Sequence, residues 1–265
     1  MQTTTVRALA PARVCLHTWT SDTGAPVAAL WAFADIGDEM RLAAGPVPML
    51  TAHGEMAEDL PAEERSEILA AARWVAGKRG LRIDLDVEVP SGFGGAVPRV
   101  GAVLRGLGRL FGEDVTGGED ALGVAQAAAR FPRAIKIAGG GAENVVLPAL
   151  HAVLIDPVNG RVEPASEVLS SGQTGALPSW DGAEAFAAWL GSLDGAFATA
   201  AREIWPEVEE ALDELALLPG CRVARVSGQG PGCFGLFPDR NTAEAAAGMI
   251  AALKPMWWVK AATLG

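Results

Sequence analysis

Leu81-Arg82-Ile83-Asp84-Leu85-Asp86-Val87-Glu88-Val89-Pro90-Ser91-Gly92-Phe93-Gly94-Gly95-Ala96-Val97-Pro98-Arg99-Val100 is the stretch on which the reading of this chain turns. Its first part alternates strictly, with Leu81, Ile83, Leu85, Val87 and Val89 on one face and Arg82, Asp84, Asp86 and Glu88 on the other. A period of two sustained from Leu81 to Val89 predicts a half-buried β-strand. Pro90 to Ala96 then forms a turn that glycine backbones make with little strain. Pro98 is suited to open a helix, and Val100, Val103, Leu104, Leu107, Leu110 and Phe111 recur at helical spacing. Strand, glycine loop, helix is a layout in which N–H groups of the loop and helix start can cradle a phosphate. Its bland counterpart is a tight turn feeding a core helix.

Working outward, 265 residues supply enough apolar material for one large domain or two small ones. No apolar run reaches the length of a membrane span. Met1-Gln2-Thr3-Thr4-Thr5 lacks the basic and apolar regions of a signal peptide. Cys15, Cys221 and Cys233 are too few and too scattered for a disulfide framework or a zinc site. These features predict a cytoplasmic protein without a membrane partner and without a metal site. A net charge of −11 argues against nucleic acid as a partner, since a phosphate backbone would be repelled.

Residues 6–19 read as a pair of strands broken at Pro11, and Val27 to Asp35 as a strand ended by Gly37-Asp38. A helix is expected from Pro61 to Val75, and another over Gly117 to Ala129. Strands are expected at Ala134 to Ala138 and Leu150 to Ile155, with Gly139-Gly140-Gly141 between them. Composition shifts after Pro157, and Ser170 to Trp180 reads as a polar connection. Beyond it come a helix capped by Asp181, a long helix over Thr199 to Leu217 that Pro206 perturbs or starts, and strands at Arg222 to Val226 and Cys233 to Phe237. A last helix capped by Asn241 or Thr242 and a strand from Trp257 to Ala262 complete the chain. Helices and strands mix without strict alternation, so the expected class is α+β in two lobes, 1–157 and 158–265.

Several segments, in order, resemble one family. They are Pro11-Ala12-Arg13-Val14-Cys15-Leu16, Phe33 to Asp38, Pro90 to Ala102, Leu150 to Pro157, Ser227 to Phe237 and Trp257 to Gly265. Together they look like 4-diphosphocytidyl-2-C-methyl-D-erythritol kinase, of the GHMP small-molecule kinases, over nearly the whole chain. The resemblance implies a ribosomal-protein-S5-domain-2-like N-terminal lobe and a ferredoxin-like C-terminal lobe. It also implies ATP with Mg²⁺ as cofactors and a role in the non-mevalonate isoprenoid pathway. Phosphoryl transfer of that kind needs held and screened phosphates, a nearby cation and a carboxylate to take the hydroxyl proton.

Carried over residue by residue, the resemblance meets several departures. The lysine of the first strand is Arg13, which keeps the charge but not the compact geometry. The aspartate of the family's Gly-Ala-Asp-Val-Pro falls within Leu122 to Ala127, where Ala125 or Gln126 stands; no Asp or Glu occurs from Ala121 to Ala142. Glu119 and Asp120 lie on the far side of that match. In the phosphate loop Gly92, Gly94 and Gly95 persist, while two serines have become Val97 and Pro98 and Arg99 is new. The family's Asp-Gly-Tyr-His falls on Asp22-Thr23-Gly24-Ala25, an asparagine on Ser66, and Asn-Asp-Leu near Ala196-Phe197-Ala198. The last glycine loop keeps Ser227, Gly228 and Gly230 but has Gln229. His17, His53 and His151 show no metal-ligand spacing.

The candidate site is therefore Arg13, Ala125, Gly92, Gly94, Gly95, Arg99, Ser227, Gly228 and Gly230. Three functions stand open at this point. The first is a kinase fold whose phosphoryl transfer is lost or strongly weakened and which binds or regulates, alone or in a homo- or hetero-oligomer with a competent relative. The second is an active kinase for the family's substrate or a related alcohol. The third is a module holding a different small anion or nucleotide.

Overall fold

The computed structural model describes residues 4–77, 79–112, 123–130, 133–138, 141–160, 174–195 and 197–265. In chain order the elements are β1 (Thr5–Thr20), β2 (Pro26–Ala44), β3 (Met49–His53), α1 (Ala62–Ala76), β4 (Leu81–Asp86), α2 (Ala96–Phe111) and α3 (Gly123–Arg130). There follow β5 (Ala134–Ala138), β6 (Gly141–Asn144), β7 (Leu150–Asp156), α4 (Gly182–Gly191), α5 (Ala198–Ile204), α6 (Pro206–Leu217), β8 (Val223–Val226), β9 (Cys233–Phe237), α7 (Arg240–Leu253) and β10 (Trp258–Leu264). Helices and strands mix as an α+β protein. The chain forms two compact units, one of residues 1–13 and 36–132, the other of 14–35 and 133–265. The expected division after residue 157 falls inside the second unit.

In the first unit β4 pairs antiparallel with the second half of β2, Leu85 opposite Met40, and parallel with β3, Ile83 opposite Leu50. The alternation of β4 is realised: Leu81, Ile83 and Leu85 are buried. Regular strand ends at Asp86, earlier than the pattern suggests, because the amides of Glu88 and Val89 are taken by a side chain, that of Asp38. Helix α2 starts at Ala96, so Pro98 is its third residue, still within the first turn where a missing N–H costs little. Val100, Val103, Leu104 and Leu107 turn into the core.

Two expected breaks do not occur. Strand β1 runs through Pro11, and β2 runs through Gly37-Asp38. The two positions explain each other. A Cβ on Gly37 would lie 2.1 Å from the carbonyl oxygen of Ala10, so the bare backbone of β2 leaves the space in which β1 passes its proline. A proline in a strand needs only a place where its absent N–H is not wanted.

In the second unit the strand order is β2-β10-β7-β9-β8, with every pairing antiparallel, and β5 and β6 add on beyond β2. Val153, Ile155, Trp205, Val208, Leu215, Phe237 and Ile250 belong to one apolar core there. The long helix expected over Thr199 to Leu217 is two helices, α5 and α6, which meet at Trp205-Pro206 with proline at the first position of the second. The last helix is capped by Asp239, two residues before Asn241 and three before Thr242. Asp239 accepts from the Thr242 amide at 2.8 Å, and a side-chain carboxylate is a strong acceptor at that position. Asp181 stands before α4 but makes no capping bond with its side chain. Residues 113–122, 139–140 and 161–173, with the start of the expected helix from Gly117, the first two of the three glycines and part of the connection before Trp180, lie outside the described residues.

Candidate functional site

The glycine loop of the first unit is held as a tight turn. The amides of Phe93 and Gly94 both donate to the Pro90 carbonyl, at 2.9 and 2.8 Å. The Arg13 amide of β1 donates to the Phe93 carbonyl at 2.6 Å, so the candidate cation of the first strand is joined to the loop through its backbone. Gly92 and Gly94 are buried, and Phe93 is fully so. Gly95, at φ 114°, opens α2 without any side-chain cap.

Arg99 points inward from the first turn of α2. Its Nε donates to Asp38 Oδ2 at 2.8 Å, its Nη1 is paired with Glu64, and its Nη2 reaches the Val89 carbonyl at 3.4 Å. Asp38 in turn accepts the amides of Glu88 and Val89 at 2.8 and 2.9 Å. Arg99 is only 2 % exposed and Asp38 only 1 %. Burial by itself favours the neutral guanidine; the charges of Asp38 and Glu64 outweigh it and raise the pKa of Arg99. The guanidinium lies directly under the loop: a Cβ on Gly94 would stand 2.8 Å from Nη2. Arg99, a site residue named from sequence, thus meets two carboxylates that the sequence did not single out. Asp38 lies 61 residues before Arg99 and Glu64 lies 35 before it, which is why no local pattern announced them. The one available signal was the arginine itself, since a charge on the inner face of a core helix requires a partner.

Ala125 sits on the buried side of α3, 7 % exposed, and none of the described residues of that helix is acidic. The last glycine loop belongs to the second unit. Ser227 donates its amide to the Gly232 carbonyl at 2.7 Å, and its hydroxyl accepts the Cys15 amide at 3.0 Å. Gly230 has φ 85°, and a Cβ there would stand 2.8 Å from the Trp205 ring, so both turn and packing demand glycine. Nearby in the same unit a cavity of about 160 Å³ is lined by Cys15, His17, Thr18, Phe197, Arg202 and Arg225 among others. Burial, then the charge of Arg225, lowers the pKa of His17 to about 4. Among the described residues no group of three or more His, Cys, Asp or Glu side chains is placed to hold a metal ion, and no helix is long and apolar enough to cross a membrane.

Residues 180–254 match the family described as GHMP kinases C terminal. Over 98% of this chain and 97% of its own length, the 4-diphosphocytidyl-2-C-methyl-D-erythritol kinase of Jannaschia sp. (strain CCS1) is 32% identical. The protein of that name from Cereibacter sphaeroides (strain ATCC 17025 / ATH 2.4.3) is 34% identical over 88% of each chain. Among solved structures, a 4-(cytidine 5'-diphospho)-2C-methyl-D-erythritol kinase superposes with a TM-score of 0.66 at 23% identity, covering 98% of this chain and 99% of the other. The L. major mevalonate kinase in complex with R-mevalonate gives 0.60 at 16% identity, over 99% and 96%.

Proposed function

The chain belongs to the 4-diphosphocytidyl-2-C-methyl-D-erythritol kinase family, and from that premise we propose that it keeps the kinase fold as a binding or regulatory protein whose phosphoryl transfer is lost or strongly weakened. The observation that carries this reading is the absence of any carboxylate from Ala121 to Ala142, the stretch in which the family places its proton acceptor. A second register leads to the same place. Setting the motif Gly-Ala-Asp-Val-Pro on its proline matches it to Ala128-Ala129-Arg130-Phe131-Pro132, and a cation then stands where the carboxylate belongs. Loss of a general base alone lowers a rate by about 10²–10⁴.

The residues of the glycine loop do not fit Mg-ATP. Val97 and Pro98 offer no hydroxyl to phosphate or metal, Pro98 offers no amide, and the charge of Arg99 is spent on Asp38 and Glu64. Arg99 braces the loop of the first unit from beneath, where Arg13, Gly92, Gly94 and Gly95 keep its turn, and in the second unit Ser227, Gly228 and Gly230 keep the turn of the last glycine loop. In this reading the protein acts in the cytoplasm within the non-mevalonate isoprenoid pathway, as a homo-oligomer or beside a competent relative, and 1–157 and 158–265 stand as its two lobes.

Incubation with Mg-ATP and 4-diphosphocytidyl-2-C-methyl-D-erythritol, followed by ³¹P NMR, tests it. The expected spectrum matches the protein-free control. Phosphorylated product in proportion to protein overturns the reading. A working kinase is the second reading, favoured by relatives of that name at 32–34% identity. It would draw on positioning and electrostatics without a dedicated base, and its product would disappear in Arg13→Ala.

A further inference from the structure

The cavity of the second unit carries chemistry that the glycine loops do not. Arg225, half-buried on β8, lines it. A guanidinium has five N–H donors. Nη1 of Arg225 spends its two on the carbonyls of Leu190 and Leu193, at 2.9 and 2.7 Å, and Nη2 spends one on the Asp194 carbonyl at 3.1 Å. Nε and the second Nη2 hydrogen have no acceptor among the described residues. Along its Nε edge a guanidinium carries Nε–H beside an Nη2–H, the pair of parallel donors that matches the two oxygens of a carboxylate. No carboxylate makes an ion pair with Arg225 among those residues; Asp194 acts on it only as a more distant charge, and burial lowers its pKa. The neighbouring Arg202, by contrast, is already paired with Glu209 at 2.8 Å.

His17 adds a second unmet requirement. It is only 9 % exposed, its Nδ1 is buried, and neither ring nitrogen has a hydrogen-bond partner among the described residues. The ring is packed edge-on against Trp19 with centroids 4.6 Å apart. It therefore presents a neutral imidazole, one nitrogen a donor and the other an acceptor. Thr18, whose hydroxyl lies 3.3 Å from the Cys15 sulfur, supplies a further polar group. Phe197 and Leu212 make the apolar wall. In size the space compares with the roughly 150 Å³ cavity that takes a benzene ring.

We propose that this cavity binds a small organic monocarboxylate, with its carboxylate on the Nε/Nη2 edge of Arg225 and its compact apolar body against Phe197 and Leu212. Gly228 of the last glycine loop also lines the cavity, but the proposal rests on Arg225 and His17, to which the kinase reading gives no role, and titration without nucleotide reads it apart from the phosphoryl-transfer assay.

Calorimetric titration of the intact chain at pH 7, without nucleotide, tests the proposal with three probes: benzoate, benzyl alcohol and inorganic phosphate. Saturable binding of benzoate in the millimolar range is expected, with benzyl alcohol and phosphate each weaker by roughly tenfold or more. Arg225→Lys keeps the charge and loses the planar fork, and it weakens benzoate by roughly tenfold. Ala198→Leu fills the cavity from α5 and abolishes the benzoate signal while circular dichroism and melting stay those of a folded protein; it stands as the test if the lysine variant fails to fold. The proposal is overturned if benzoate gives no saturable heat, if benzyl alcohol or phosphate binds as well as benzoate, or if Ala198→Leu binds benzoate like the parent.

Discussion

A guanidinium that is 2 % exposed survives in a protein interior only with partners, and Arg99 has two carboxylates and a carbonyl. Taking one member from such a cluster leaves the rest buried and uncompensated, at a cost of roughly 3–5 kcal/mol. Arg99→Met, of similar length, leaves Asp38 and Glu64 facing each other. Urea unfolding is expected to show a loss of that size, with the slope unchanged. Glu64 keeps 16% of its side chain in solvent, so Glu64→Gln should cost less, roughly 1–2 kcal/mol. Equal losses in the two variants would contradict the picture of Asp38 as the principal partner. The sequence showed an arginine just after a glycine loop, with no acid between Val89 and Gly112, and such a residue reads as a cation facing a ligand. Its partners come from β2 and α1, at separations that only tertiary folding closes.

At the scale of elements, what could be read in advance was what local physics decides. The alternation of β4, the helical stripe of α2 and the β9 run Cys233 to Phe237 each follow from a period and a turn. Elements that depend on neighbours were not legible: β3 and β6 are short, with no clean alternation, and exist because β4 and β5 offer them ladders. The continuity of β1 and β2 is the sharpest instance, since Pro11 and Gly37 each look like a break when taken alone. A methyl group at Gly37 would collide with backbone atoms of Ala10 and Pro11, at 2.1 and 2.7 Å, and neither strand can yield without losing its pairing. Gly37→Ala should therefore destabilise the protein by about 3 kcal/mol. Gly248, within α7, has nothing within 4 Å of the corresponding position. Gly248→Ala should instead stabilise by about 0.5–1 kcal/mol through helix propensity. Thermal melts of the two variants, shifted in opposite directions, are the expected result; a neutral Gly37→Ala would show that β1 and β2 have more room than the contact distances allow.

For the whole molecule the question is whether a polyanionic nucleotide gains anything by binding. The chain carries a net charge of −11, so an anion must find local cations that are not already committed. In the first unit the arginine beneath the glycine loop is committed twice over, and the loop residues are packed against Arg13 and Pro90 through their own backbone. A ligand that binds only the native state raises its stability by mass action, by about 2.7 kcal/mol at a hundred times its dissociation constant. In a protein of this size each kcal/mol moves the melting temperature by roughly 2–4 °C. A saturating nucleotide would therefore announce itself as a rise of about 5–10 °C. With millimolar Mg-ATP or Mg-ADP at moderate salt we expect a melting temperature within about 1 °C of the nucleotide-free protein. The same titration on Val97→Ser combined with Pro98→Ser, which returns the two hydroxyls to the helix start and leaves the Arg99 cluster intact, separates two causes. A shift in that variant alone places the block in the loop. A shift already present in the parent would mean that the loop still accepts phosphate, and the cause of any missing turnover would then lie outside the loop.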